Sequence, residues 1–315
     1  MNNQAKKVIH EVSKVMIGKD EVINKVFQAI LAEGHILLED IPGVGKTTLA
    51  LAFSKAMDLD FNRIQFTPDV VASDITGFTM YDRNNEKFVY KEGATMCHLL
   101  LGDEINRTTS RTQSALLEVM EEKKVTVDGE TYHLPQPFHV IATQNPLGAY
   151  GTQALPQSQL DRFTIKISVG YPDNDSLIEL LKDRQTSQPL DEVKPVITRE
   201  DLIHMQKAVR QIHISEEILK YITHLTEATR NHNLILQGVS PRGALALSHM
   251  AKSRAFMFGR SYVVPEDVLD SFIDTYNHRI ILDHKAQMAE DGINHILYEI
   301  MEDVKTPDNE ALYTF

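Results

Sequence analysis

His35-Ile-Leu-Leu-Glu-Asp-Ile-Pro-Gly-Val-Gly-Lys-Thr-Thr48 reads as a short apolar strand, a tight loop and the first turn of a helix. Gly43 and Gly45 let the backbone turn and expose its N–H groups. Lys46 puts a cation in a first helical turn, where the helix dipole disfavours one, and a hydroxyl follows at Thr47. The combination suits phosphate: loop amides meet the oxygens, Lys46 faces the β- and γ-phosphates, and Thr47 ligates Mg2+. Pro42, Gly43, Val44, Gly45, Lys46, Thr47 and Thr48 are therefore the candidate phosphate-binding residues. The strict pattern asks for glycine five residues before Gly45, where this chain has Asp40. That position shapes the turn, so the departure removes no phosphate contact.

A magnesium ion needs a carboxylate at the end of a neighbouring strand. Leu99-Leu-Leu-Gly-Asp-Glu104 supplies two acids: Asp103 is placed to bind Mg2+ through water and Glu104 to polarise an attacking water. A kinase would need a hydroxyl acceptor site as well, so a glutamate aimed at water favours hydrolysis. Val140-Ile-Ala-Thr-Gln-Asn-Pro146 is a third strand ending in amides, where Asn145 can orient the water or the γ-phosphate. Gln159-Leu-Asp-Arg-Phe163 sets Arg162 between a helix end and a strand, and an arginine delivered to a γ-phosphate contributes ~10³–10⁵ in rate. In Gly238-Val-Ser-Pro-Arg-Gly243, Ser240 is a good N-cap and Pro241 a good first helical residue. Arg242 then lies in the first turn, against the dipole, as a cation awaiting an anion.

Outward from these motifs, 35–38, 63–66, 99–101, 139–143 and 163–169 read as strands with helical patterns between several of them. That is a largely parallel sheet covered by helices. The last of these strands alternates strictly and implies one wet face. Two hairpins interrupt the sheet: Phe78–Tyr81 with Phe88–Lys91, and Lys124–Tyr132 turning at Asp128-Gly129. After Tyr171-Pro172 the strand signal stops, and helices are expected at 173–184, 199–211, 216–231, 241–258, 265–278 and 289–304. Residues 185–195, with two prolines, are the linker candidate. The expected organisation is an α/β core over 1–188 and a small all-helical lid over 189–315.

The 315 residues are 42% hydrophobic, which excludes wholesale disorder. With 32 Lys+Arg against 44 Asp+Glu, the net charge of −12 repels phosphate backbones and argues against bulk nucleic-acid binding. Cys97 is the only cysteine, and no two of the 13 histidines sit three or four apart. Neither an internal disulfide, a thiolate zinc cage nor a helical His-pair metal site can form. No apolar run approaches the ~20 residues of a membrane span, and the first dozen residues lack a signal-type apolar segment. The expectation is a cytoplasmic protein.

Taken together, the chain resembles the AAA+ ATPases, and within them the MoxR family. The match rests on Leu38–Thr47, Gly102-Asp-Glu-Ile-Asn-Arg107, Gln113–Glu121, Ala142–Pro146, Leu160-Asp-Arg-Phe163 and Ser240-Pro-Arg242, in that order along most of the chain. The resemblance implies Walker A roles for Lys46 and Thr47, and Walker B roles for Asp103 and Glu104. It makes Asn145 sensor 1, Arg242 sensor 2 and Arg162 the arginine finger acting on a neighbouring subunit, with Arg107 and Arg111 as rivals for that finger. Ile17 and Gly18 match the adenine-side backbone contact. The hairpins resemble the helix-2 insert and the pre-sensor-1 hairpin, near magnesium-chelatase ATPase subunits. ATP and Mg2+ are the implied cofactors. A ring, commonly hexameric, acting on protein clients with a von Willebrand factor A-type partner is the implied assembly. Arg242 is expected to swing with the lid onto the γ-phosphate of its own subunit. A magnesium-chelatase-like subunit, a nucleic-acid motor and a non-hydrolysing nucleotide switch are the rival readings.

Overall fold

A computed structural model describes residues 1–145, 153–185, 189–283 and 292–307. Its centre is a five-stranded parallel sheet made of β1 (Ile36–Glu39), β2 (Phe61–Gln65), β5 (Leu99–Asp103), β8 (His139–Gln144) and β9 (Ile165–Ile167). The spatial order is β2-β5-β8-β1-β9. Successive side chains of a strand point to opposite faces, and the sequence divides accordingly. Ile36, Leu38, Leu99, Leu101 and Ile141 join one core, while Leu37, Leu100, Val140 and Ala142 join the other. A central strand buried on both faces needs a continuous apolar run, which is what Leu99-Leu-Leu supplies.

The first core is covered by α1 (Asn3–Ser13), α2 (Asp20–Leu31) and α3 (Lys46–Ala56), with Phe27 stacked on Phe53. On the second face, α4 (Ala72–Thr76) is followed by the hairpin of β3 (Phe78–Asp82) and β4 (Lys87–Lys91). Then come α5 (Ser110–Glu122) and the hairpin of β6 (Lys124–Val127) and β7 (Glu130–His133). Both hairpins form where the turn residues place them, and stacking of Tyr90 on Tyr132 at 3.9 Å ties one to the other. The short α6 (Gln157–Leu160) leads into β9, whose Ile165 and Ile167 are buried around a half-exposed Lys166. The alternation read over 163–169 is therefore real, although only its middle pairs with β1.

Beyond the sheet lie α7 (Asn174–Asp183), α8 (Pro189–Glu192), α9 (Arg199–Arg210), α10 (Glu216–Asn231), α11 (Pro241–Met257), α12 (Pro265–Tyr276) and α13 (Ile293–Asp303). The last helix starts at 293, and the expected start at 289 falls outside the described residues. The linker candidate contains one turn of helix, α8. Contrary to an all-helical expectation, β10 (Ile235–Gln237) pairs antiparallel with β11 (Ile281–Leu282). Runs of three and two residues are too short to show a period of two, so this pair escapes pattern reading.

The lid helices pack around Tyr221, Leu225, Phe272 and Tyr276. They are also fastened to the core. Gln28 on α2 donates to Met250 O (2.9 Å) and Ser271 Oγ (2.7 Å), and its own carbonyl accepts from Ser253 Oγ (2.7 Å). Lys25 pairs with Asp270 at 2.8 Å and Asp274 at 3.2 Å. Buried polar groups left without such partners are costly, so α2, α11 and α12 behave as one block.

Candidate functional site

The parallel strands bring their carboxyl ends together, and the chemistry-bearing residues sit just beyond them. Gly45 caps α3 in the left-handed conformation at φ +97° with no side-chain acceptor, leaving the first-turn N–H groups of α3 unclaimed by a cap. Lys46 is buried, and its Nζ donates to Asp40 O at 2.7 Å and Ile41 O at 3.3 Å. Burial pulls its pKa down, against the carboxylates of Asp40, Asp103 and Glu104 that favour the cation. This is a desolvated lysine held under the loop.

Asp40 fills the position where glycine was expected. Its Oδ2 accepts from Ser168 Oγ (2.9 Å), Val169 N (2.6 Å) and Gly170 N (2.8 Å). The departure from pattern therefore ties the phosphate loop to the segment after β9. That segment opens a cavity of about 420 Å³ lined by Ile17, Val44, Gly45, Thr48, Tyr171 and Leu177. Arg184 donates to Val15 O (3.3 Å) and Lys19 to Tyr171 O (2.7 Å), holding its walls together. Ile17 thus lies on the loop side of a cavity of nucleoside size. Gly18 abuts Ser176 of α7 instead of lining it.

At the end of β5, Asp103 accepts from Thr143 Oγ1 (2.6 Å) and pairs with Arg63 Nη2 (2.8 Å). Sequence reading missed Arg63, which reaches Asp103 from the adjacent strand β2. Glu104 has left-handed backbone (φ 58°), and its N–H donates to Thr143 Oγ1 at 2.9 Å. Its two carboxylate oxygens are engaged separately, Oε1 by Asn145 Nδ2 (2.9 Å) and Oε2 by Arg107 Nη1 (2.7 Å). Burial raises its pKa, but the hydrogen bonds from Arg107 and Asn145 and the Arg107 charge outweigh it, so the net shift is downward. Glu104 is a carboxylate at neutral pH. Asn145 Oδ1 is buried and accepts no bond among the described residues.

These residues fit a magnesium–nucleotide. Among the described residues no three His, Cys, Asp or Glu side chains gather to hold a metal alone. Mg2+ is commonly held by one or two protein oxygens together with phosphates and waters, and Thr47, in the first turn of α3, and Asp103, at the end of β5, would be the residues to supply such oxygens.

The two remaining arginines are elsewhere. Ile165 of β9 pairs with Ile36 at the start of β1, so Arg162 lies at the amino ends of the strands. The phosphate loop follows the carboxyl end of the same β1, four residues further on, or ~13 Å at 3.3 Å per residue. Arg242 does not approach its own loop in this conformation. Its guanidinium pairs with Glu121 on α5, the same carboxylate that lies 3.4 Å from Arg162 Nε. Arg107 is spent on Glu104 of its own chain, and Arg111 stands exposed in the first turn of α5. The structure thus brings together Lys46, Asp103, Glu104 and Asn145 at one end of the sheet, and Arg162 with Arg242 at the other.

Fold and site together define a P-loop AAA core with a lid. The family model described as "ATPase family associated with various cellular activities (AAA)" matches residues 35–165, and that of the AAA lid domain matches 227–300. YeaC of Bacillus subtilis is 43% identical over 301 residues, covering 96% of this chain and 94% of its own. Chaperone MoxR1 of Mycobacterium tuberculosis is 34% identical over 315 residues, covering 97% and 83%. The crystal structure of a protein from Cytophaga hutchinsonii superposes with a TM-score of 0.90 at 39% identity, over 97% of this chain and 96% of that one. The chain belongs to the MoxR family of AAA ATPases, and membership of that family implies ATP binding. Among the described residues no helix is long and apolar enough to cross a membrane.

Proposed function

We propose that the chain hydrolyses ATP with Mg2+ as part of a ring, commonly a hexamer, in the cytoplasm, and uses turnover to remodel protein clients alongside a von Willebrand factor A-type partner. Lys46 and the loop amides bind phosphate, Thr47 and Asp103 hold Mg2+, Glu104 accepts the proton of the attacking water, and Asn145 orients it. Residues 1–188 act as the nucleotide-binding core and 189–315 as the lid. The chaperone name of the Mycobacterium tuberculosis relative supports the client role.

One observation carries the ring reading: the water-activating residues and the two arginines occupy opposite ends of one sheet. The buried bonds between α2 and the lid oppose a swing that would join them within a chain. A neighbour placed amino end to carboxyl end supplies both arginines at once, so Arg242, like Arg162, serves the adjacent site. The test mixes Arg162→Ala subunits with Glu104→Gln subunits, each inactive alone. Recovery of ATPase activity on mixing is expected, because a Glu104→Gln subunit lends its arginine to a neighbour that keeps Glu104. Demonstrated co-assembly without recovery would overturn the shared site.

A further inference from the structure

Arg162 and Arg242 come from segments 80 residues apart, yet both guanidiniums meet at Glu121. What aligns them is a third arginine that the chemistry above does not use. Arg279, just past α12, has a side chain only 2% exposed. It donates through Nε to Asp161 Oδ1 (2.8 Å), through Nη2 to Phe163 O (2.5 Å) and through Nη1 to Thr164 O (3.1 Å). Its two neighbours grip the same stretch: Asn277 Nδ2 donates to Lys166 O (3.0 Å), and Gln157 Nε2 donates to His278 O (2.8 Å). The backbone carbonyls of Phe163, Thr164 and Lys166, on the strand side of Arg162, are thereby held from the segment that follows α12.

The tie continues to Arg242. Asp161 Oδ2 accepts from Ser240 Oγ at 2.8 Å, and Ser240 is the N-cap of α11, two residues before Arg242. The glycine of Ser240-Pro-Arg-Gly243 is explained by the same guanidinium. A Cβ at 243 would sit 2.7 Å from Arg279 Cδ and 2.4 Å from Val239 Cγ1, so only glycine lets the Arg279 stem pass under α11. A planar fork with five donors can satisfy a carboxylate and several carbonyls from one buried position, which an ammonium cannot.

We infer that Arg279 is a positioning residue for the arginine pair: it fixes the Asp161–Thr164 turn and, through the Asp161 carboxylate, the amino end of α11, presenting Arg162 and Arg242 to a neighbouring site as one unit. This rests on the ring reading proposed above. A displacement of about 1 Å at a reacting centre can cost ~10²-fold in rate, so the effect of loosening this clamp falls on turnover. ATP affinity is spared, because the subunit's own phosphate loop is at the far end of the sheet.

The experiment uses Arg279→Lys in the full chain. Calorimetric ATP affinity is expected within threefold of the parent, with turnover of pure Arg279→Lys assemblies down by ~10²-fold. Mixed with Glu104→Gln subunits, which keep all three arginines, Arg279→Lys subunits should regain activity to within a few-fold of the Arg162→Ala and Glu104→Gln control mixture. A brace needed only for folding would not be rescued by a neighbour. Turnover at the parent rate, or no rescue while the control mixture recovers, overturns the role of Arg279 and leaves the shared site standing. Failure of the control mixture despite co-assembly removes the shared site, and this inference falls with it. Should Arg279→Lys not fold, Asp161→Asn, which keeps an acceptor oxygen and removes the charge, is judged by the same mixtures.

Discussion

Lowering the pH from 7 to 5 should destabilise this protein steeply, chiefly through three of the histidines buried at the amino ends of the strands, His35, His139 and His278. Burial pushes His35 down to about 3, helped by the neighbouring His139, and pushes His139 down to about 4. Burial and the Arg279 charge hold His278 well below its ordinary value. The imidazoles are also committed as neutral tautomers: His35 Nδ1 accepts from Val140 N (3.0 Å), while His139 Nδ1 faces Gly34 O (3.0 Å) and its Nε2 faces Gln206 Nε2 (3.0 Å). With folded values depressed below the unfolded 6.5, the unfolded chain takes up protons that the folded chain refuses. Stability is therefore full above the unfolded value and is lost as the pH falls below it. His35 and His139 each contribute ~2 kcal/mol of loss between pH 7 and pH 5, or ~4 kcal/mol together, against a total stability of about 5–15 kcal/mol, and His278 acts in the same direction. The lowered carboxyls of Glu11 and Glu104 do not enter, because their contribution persists above 4.5. Urea titrations at half-unit pH steps measure the slope, and imidazole NMR shifts identify the groups. A change below ~1 kcal/mol across this range, or any of the three imidazoles titrating above pH 6 in the folded protein, would refute the reasoning.

Lys46→Ala should abolish ATP binding in calorimetry, because it removes the fixed cation under the loop; an unchanged affinity would sink the phosphate-loop assignment. Glu104→Gln should bind ATP normally and lose at least ~10²-fold in turnover, since an amide cannot accept the water's proton; phosphate release at the parent rate is the refuting result. Asp40→Ala strips three hydrogen bonds from Ser168, Val169 and Gly170, at a cost of ~2–4 kcal/mol for a buried charged acceptor. Urea unfolding reads that loss directly, and a parent-like midpoint would show that the tie between loop and β9 carries no stability.

What was legible in the sequence was local. The strand–loop–helix of 35–48 and the apolar run before Asp103 announce themselves because their chemistry lies within a dozen consecutive residues. The same holds for Ser240-Pro-Arg at a helix start, where Ser240 does cap α11. What was hidden depends on distant partners. Arg63 acquires its role from a strand 40 residues away, Asp40 from one hydroxyl and two backbone amides 128–130 residues on, and Arg279 from a turn 118 residues earlier. No window of sequence contains both halves of these contacts. The placement of Arg242 was hidden for another reason. Its first-turn position announces an anion but not whose; the contact with Glu121 and the bond from Ser240 to Asp161 set it beside Arg162, at the end of the sheet that the pairing of β9 with β1 fixes.

That separation also says how nucleotide state can be communicated. Within one chain, Gln28, Ser253 and Lys25 bind the lid to α2 through buried contacts, so a swing of the lid toward its own loop would forfeit several partnered polar groups together. Glu121, by contrast, is about two-fifths exposed while it pairs with both arginines. Exposed ion pairs contribute only ~0–1 kcal/mol each. In the ring proposed above, exchanging this carboxylate for a more highly charged phosphate on an adjoining subunit would therefore cost little, and would leave the clamp of Arg279 and Asp161 intact. The weak contact is the one that must change between nucleotide states, and the strong ones are those that must not. In the ring proposed above, that distribution of strengths would place the moving joint between neighbouring subunits, with core and lid of each chain travelling together.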